Sequence, residues 1–189
     1  MSPDPRSDAE LIVAYRAGEE MAFTYLVVRY LGDLYRFLVH LTGDRHFAED
    51  LCQETFLKAW KHLERFDIKK SFKPWVFTIA HHAAIDYLRK QRPTPFAMLE
   101  REDLSDFGAT IPDQQDLPDV LLAHKDLAKI LEQGLAVLPF NTRSTVLLHQ
   151  QEGLTFQEIA DAMQEPLNTV KSRYRRALST LKQYLTDKI

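Results

Sequence analysis

Only one cysteine, Cys52, occurs in the 189 residues, so no internal disulfide can form and a reducing compartment is expected. No run of about 18 apolar residues is present, which argues against a membrane-spanning helix. The N-terminus, Met1-Ser2-Pro3-Asp4-Pro5, has no basic segment followed by an apolar one, so a secretory leader is not expected. Period-two alternation is missing throughout, as is any internal repeat, and strands are therefore not expected. What remains is a hydrophobic content of 45%, ample for a buried core. The expectation is a folded, cytoplasmic, all-α protein with room for one large or two small domains.

The net charge of −3 would disfavour a polyanionic partner if it were evenly spread, but it is not. From Lys58 to Arg92 nine basic residues face only Glu64, Asp67 and Asp86. From Pro93 to Asp126 eight acids face Arg101 and Lys125. From Asn168 to Lys182 there are Lys171, Arg173, Arg175, Arg176 and Lys182, with no acid. Two basic blocks flanking an acidic one can each bind a polyanion locally despite the negative total.

Apolar residues recur at helical spacing over nearly the whole chain. Ala22, Leu26, Tyr30, Leu34, Phe37, Leu38 and Leu41 belong to one stripe, closed by Gly43. Ala48, Cys52, Thr55, Ala59 and Leu63 line a helix from about 46 to 64. A third helix starts near Pro74, a residue suited to the first helical turn, and buries Val76, Ile79, Ala80, Ala83 and Tyr87. Residues 93–119 carry Pro93, Pro95, Pro112 and Pro118 with many acids and no periodicity, and read as a flexible linker. Such a linker fixes no relative placement of the domains it joins, 1–92 and 120–189. Further helices are expected at roughly 120–137, 141–151, 155–163 and 168–186.

The clearest motif lies near the C-terminus. Thr155 and Glu158 have capping-box spacing and open a short helix ending near Met163. A turn at Gln164-Glu165-Pro166-Leu167 follows, and Asn168 or Thr169 is expected to cap the next helix. Two short helices joined by a tight turn, the second richly basic, are a helix-turn-helix. On the second helix Val170, Tyr174, Ala177, Leu178 and Leu181 would face the core. Lys171, Ser172, Arg175, Arg176 and Ser179 then project from another side, with Arg173 beside them, where they can reach base edges and phosphates of a major groove.

The N-terminal part carries two weaker signals. Asp50, Gln53, Glu54, Leu57, Lys58 and Lys61 share the face opposite the apolar stripe of their helix, which suits either solvent or a protein partner. Trp75, Thr78, His82 and Arg89 share a face of the next helix, close to Lys69, Phe72 and Lys73. Aromatics beside cations suit single-stranded DNA, where bases stack on rings and cations hold the backbone. The alternative is that Phe72 and Trp75 simply pack the helix start.

Both halves together resemble the extracytoplasmic-function (ECF) sigma factors, the smallest class of the primary-type bacterial sigma family, over about residues 20–92 and 120–185. Ala48-Glu49-Asp50-Leu51-Cys52-Gln53-Glu54-Thr55-Phe56-Leu57-Lys58-Ala59-Trp60 is similar to the family's region 2.2. The resemblance implies that Asp50, Gln53 and Glu54, with Leu57 and Lys58, meet the β′ clamp helices of core RNA polymerase. Phe72 to Arg89 resembles regions 2.3 and 2.4, which implies −10 contacts by Lys69, Phe72, Lys73, Trp75, Thr78, His82 and Arg89 around a flipped base. Leu138-Pro139 through Arg143, then Gly153 to Arg176, resembles region 4. This implies −35 reading by Lys171, Ser172, Arg173, Arg175 and Arg176, with docking near the β flap. The linker would occupy the segment threading toward the active-site cleft. A cognate anti-sigma factor is a further implied partner, either free or at the inner membrane.

The chain departs from the family pattern in places. His82 stands where many relatives have Asn, Asn168 replaces a more usual Gly, and Tyr174 replaces an aliphatic residue. Two rival readings are weaker. A free-standing helix-turn-helix regulator leaves residues 20–92 without a role. An enzyme built on His81-His82 or the other histidines lacks HExxH or a Cys/His cluster, and adjacent helical histidines point about 100° apart. No metal, cofactor or catalytic residue is therefore expected, and Cys52 reads as a buried thiol.

Overall fold

The computed structural model describes residues 4–91 and 129–188, and among these no strand occurs. The linker expected at 93–119 and the start of the helix expected from 120 lie outside the described residues. The segment before residue 20, which lies outside the family resemblance, contains helix α1, Asp8–Arg16. Ser7 caps it by accepting from the Glu10 amide, while the Glu10 carboxylate accepts the Ser7 amide at 2.7 Å. That capping box was present in the sequence at the spacing recognised for Thr155 and Glu158. Leu11 and Ile12 are its buried anchors.

Helix α2 spans Met21–Thr42 and ends on Gly43, whose φ of 74° only glycine adopts without strain. Helix α3, Arg45–His62, is opened by Asp44, which accepts from the His46 and Phe47 amides. A 3-10 turn at Leu63–Arg65 tightens its exit. Helix α4, Phe72–Gln91, begins two residues before Pro74, so the proline still falls in the first turn, where its missing N–H costs nothing. Val76, Ala80 and Ala83 are buried as expected, while Ile79 and Tyr87 are half-buried. Helix α2 packs on α1, α3 and α4, and Phe37 meets Phe77 edge-on at 5.4 Å in the middle of that bundle. Fully burying an aromatic or aliphatic side chain of this kind contributes roughly 1.5–3 kcal/mol.

In the C-terminal half α5 covers residues 129–136, α6 Phe140–Gln150, α7 Phe156–Met163 and α8 Leu167–Thr186. The α7 capping box of Thr155 and Glu158 forms as the spacing indicates. The cap expected at Asn168 or Thr169 does not form. Helix α8 starts one residue earlier, Pro166 occupies the cap position, and no side chain bonds there. Leu178 is a second correction: at 43% exposure it stands outside the core that holds Val170 and Ala177.

The two halves, whose relative placement the sequence leaves open, pack directly on each other. Helix α6 lies against α2 and α7 against α4. Phe140, Leu147, Leu148, Leu154, Ile159 and Val170 share one apolar cluster with the residues of α1 to α4. Among the described residues, the contacts between these facing surfaces join the two halves.

Candidate nucleic-acid and polymerase interfaces

The helix-turn-helix is held by local chemistry. Helix α7 ends with Gln164 at φ 55°, and the Glu165 amide closes back on the Ala160 carbonyl at 3.0 Å. The chain then turns at Pro166 straight into α8. Three rings staple the arrangement. His149 stacks on Phe156 at 4.1 Å and meets Tyr174 edge-on at 5.0 Å, and Phe156 meets Tyr174 at 5.1 Å. The His149 ring also pairs through Nδ1 with the Leu154 carbonyl at 2.8 Å, and Gln150 Nε2 donates to the Tyr174 hydroxyl. Tyr174, expected on the core side of its helix and marked as a departure from the family pattern, thus ties α6, α7 and α8 together. The signal that could have found this cage is the spread of three aromatic residues over the three helices.

With Val170 and Ala177 buried, Ser172, Arg175, Arg176 and Ser179 are exposed on the opposite side and Lys171 is half-exposed. The Ser172 hydroxyl donates back to the Thr169 carbonyl at 2.9 Å. Among the described residues the one ion pair on this helix is that of Arg173 with Glu165, at 2.7 Å. Arg173 therefore differs from its neighbours. It folds onto the turn in a two-pronged pair and approaches Met163 Sδ, so the geometry groups it with the scaffold rather than with the outward readers.

On α3 the structure brings Asp50, Gln53, Glu54 and Leu57 together on one exposed face, with Lys58 paired to Glu54 at 2.7 Å. Leu57 and Trp60 are 57% and 48% exposed. An apolar pair inside a charged rim is what a protein partner covers, whereas a purely solvated face gains nothing from it. Trp60 was not singled out in the sequence, where it reads as one more aromatic near the apolar stripe. Cys52, on the opposite side, is 3% exposed, and burial pushes its thiol up to about 12, which leaves it unreactive.

The α4 set is more restrained. Phe72 is 1% exposed and packs on Tyr30 and Phe66, so it belongs to the core and cannot offer a free stacking surface. Trp75 is half-buried, with its ring 4.7 Å from Phe66 and 5.5 Å from Phe72. Thr78 donates back to the Pro74 carbonyl at 2.7 Å, and His82 is half-buried beside His81. Lys69 is exposed in a loop shaped by Asp67, which accepts the Lys69 amide at 3.0 Å. Arg89 is exposed and pairs with Asp86 at 3.0 Å. Lys73 reaches Glu152 of the other half at 3.3 Å and lies over the Phe77 ring.

Between the halves sit four residues the sequence reading assigned no role. His81 is 2% exposed, and its Nδ1 pairs with the Ser144 hydroxyl at 2.9 Å while its ring stacks on Phe140. Burial pushes this imidazole down to about 3, helped by the like charges of His82 and Arg173, so it is neutral. Arg143 donates to the Leu135, Ala136 and Leu138 carbonyls and, across the divide, to the Leu41 carbonyl at 3.0 Å. Burial brings its guanidinium down to about 10, still charged near neutrality. Glu152 is raised above the usual carboxylate range by burial, with Lys73 pulling in the opposite direction.

This geometry defines an all-helical protein with an exposed basic helix at the end of a helix-turn-helix and a separate, partly apolar face on α3. The comparisons give the class its family. Residues 26–94 match Sigma-70 region 2 and residues 128–181 match Sigma-70, region 4. The chain is 34% identical to the ECF RNA polymerase sigma factor SigM of Bacillus subtilis (strain 168) over 154 residues, covering 81% of this chain and 88% of that protein. It is 30% identical to the RNA polymerase sigma-H factor of Pseudomonas aeruginosa over 181 residues, covering 94% and 93%. The fold is also that of the sigma factor RpoE in its co-crystal structure with the anti-sigma factor NepR from Bartonella quintana, with a TM-score of 0.66 at 24% identity over 88% of this chain and 98% of that one. The chain belongs to the sigma-70 family, as an ECF sigma factor, and directs promoter-specific initiation by RNA polymerase. Among the described residues no helix is long and apolar enough to cross a membrane.

Proposed function

We propose a division of labour in which residues 1–92 bind core polymerase and open the −10 element, while residues 120–189 read the −35 duplex. The observation that carries it is the α8 surface, where Lys171, Arg175 and Arg176 point away from buried Val170 and Ala177. Such a face can lie in a major groove, with a guanidinium reaching guanine O6 and N7. Asp50, Gln53, Glu54, Leu57, Lys58 and Trp60 form the polymerase contact. Lys69, Lys73, Trp75, Thr78, His82 and Arg89 form the −10 surface, with Phe72 supporting Trp75 from beneath. As a regulatory subunit the chain makes and breaks no bond itself. It works in the cytoplasm, at the nucleoid when active, and an anti-sigma factor holds it in reserve.

The test is transcription in vitro with core RNA polymerase on fragmented genomic DNA, with and without this chain. Discrete new starts sharing two upstream elements are expected. Asp50→Ala should weaken core binding and leave −35 duplex recognition by the C-terminal half intact. Loss of both activities to the same extent would sink the assignment. Tight specific duplex binding without polymerase, and no new starts, would instead favour a free-standing regulator.

A further inference from the structure

Helix α1 lies ahead of the residues matched to region 2, which start at 26, and none of the contact faces assigned above includes it. Yet it grips the aromatic nest beneath Trp75 from two ends. At its C-terminal end Arg16 Nη2 donates to the Leu63 carbonyl at 2.9 Å and also to the Phe66 carbonyl, 47 and 50 residues further along the chain. These carbonyls lie where α3 and its 3-10 turn end, at the negative end of the helix dipole, which favours a cation. At its N-terminal end Asp8 pairs with Arg29 and accepts from the Tyr30 hydroxyl, both at 2.5 Å. Arg29 also donates to the Asp4 and Arg6 carbonyls at 2.9 and 2.6 Å, which straps the start of α1 to α2.

Both grips bear on rings. Tyr30 packs on Phe72 at 5.5 Å, and Phe66 lies 6.0 Å from Phe72 and 4.7 Å from Trp75. Trp75 thus rests on two rings. Phe66 is held through its own carbonyl by Arg16, and Phe72 is backed by Tyr30, whose hydroxyl Asp8 holds. Phe66 also starts the loop that carries Lys69 and Lys70, closed by the Lys70 amide on the Asp67 carbonyl at 2.9 Å. Fixing the Phe66 carbonyl therefore sets both the seat of the Trp75 ring and the direction in which the lysine loop leaves α3. A ring that stacks on an unpaired base binds better when its orientation is fixed beforehand, because less side-chain freedom is lost on contact.

We propose that α1 is a brace for the −10 surface, with Arg16 and Asp8 as positioning residues that fix Trp75 and the Asp67–Lys70 loop for capture of an unpaired base. This rests on the assignment of Lys69 and Trp75 to the −10 element. Loss of a merely structural helix would weaken every activity together, whereas loss of a brace weakens base capture alone.

Trp60 and Trp75 are the two tryptophans, so in a Trp60→Phe background the emission of the free chain reports Trp75. Arg16→Met keeps the long apolar stem and removes the donors. It should shift that emission to the red and raise its quenching by acrylamide. With Trp60 kept and the chain loaded on core polymerase, the probe is a single-stranded oligonucleotide carrying the non-template −10 sequence of a mapped start. Arg16→Met should lower affinity for it roughly fivefold, the scale of one side chain left to be immobilised on binding, while affinities for core polymerase and a −35 duplex stay at the wild-type level. Arg16→Lys, which keeps the charge, should recover part of the oligonucleotide affinity. Tyr30→Phe, which keeps the ring and loses the hydroxyl held by Asp8, should give the same pattern to a smaller extent. Unchanged oligonucleotide affinity in Arg16→Met overturns the brace. So does an equal loss of core, −35 and −10 binding, or an Arg16→Lys chain no better than Arg16→Met. A wild-type holoenzyme that fails to bind the oligonucleotide overturns the −10 reading and the brace with it, whereas equal binding by wild type and Arg16→Met rejects the brace alone.

Discussion

Helices α8 and α4 are each 20 residues long, and each presents cations and polar groups on a face opposite its apolar one. They differ in how free those groups are. On α8 Arg175 and Arg176 project into solvent with no carboxylate partner among the described residues. On α4 Lys73 is committed to Glu152, Thr78 to its own backbone, and Trp75 to a nest of phenyl rings. A reader of intact duplex gains from being ready before contact, since the groove's edges are already displayed. A surface that takes up an unstacked base can be withheld until the strands open, because the base is unavailable beforehand. The contrast is thus one of availability: Arg175 and Arg176 on α8 stand in solvent, while Lys73, Thr78 and Trp75 on α4 are engaged by partners.

Exchanging a scaffold cation for a reader cation sharpens the contrast. Arg143→Ala should be the most damaging single change, at about 3 kcal/mol or more, because it strips donors from several buried carbonyls at once. A urea unfolding series would show it as a lower midpoint. Arg176→Ala should leave that midpoint unmoved and reduce affinity for a −35 duplex by about 1–3 kcal/mol, in the range expected of one good base contact. If both variants lost stability alike, the division between scaffold and reader cations would fail.

Much of this was legible in the sequence because helical spacing and capping chemistry are local. The Thr155–Glu158 box, the Gly43 stop and the opposed faces of α3 and α8 follow from residues within one or two turns of each other. Helix α1 was legible too, through Ser7 and Glu10, and was passed over because it lies outside the family motifs. The packing of Phe72 was one of two readings the sequence left open, while the fates of Arg173 and Leu178 were not legible. They are set by tertiary contacts and by the exact facing of each helix: Tyr30 packs on Phe72, Glu165 across the turn pairs with Arg173, and Leu178 stands 43% exposed beside buried Val170 and Ala177. Least legible were His81, Ser144 and Glu152, because their meaning arises only when the halves meet, and nothing within either half signals the other.

The smallest predicted effect tests the same meeting surface through pH. His81 is held neutral in the packed chain at about 3, against 6.5 when unfolded, with His82 and Arg173 as like charges and Ser144 and Phe140 facing it from the other half. The unfolded chain therefore binds more protons between these values, and stability must fall as pH drops through that window. From about pH 7 to about pH 5.5 the loss is on the order of 1 kcal/mol for this one group. Glu152 has the opposite sign. Its raised carboxyl takes up a proton more readily when packed, so acidification through its range favours the packed chain and offsets part of the loss. Comparing urea midpoints at the two pH values should show a modest fall in the wild-type chain, a steeper one in Glu152→Gln, and a flatter one in His81→Gln. A His81→Gln chain whose midpoint falls as steeply as the wild type's would mean that His81 is not buried against the C-terminal half in solution, and the contrast between α8 and α4 would fall with it.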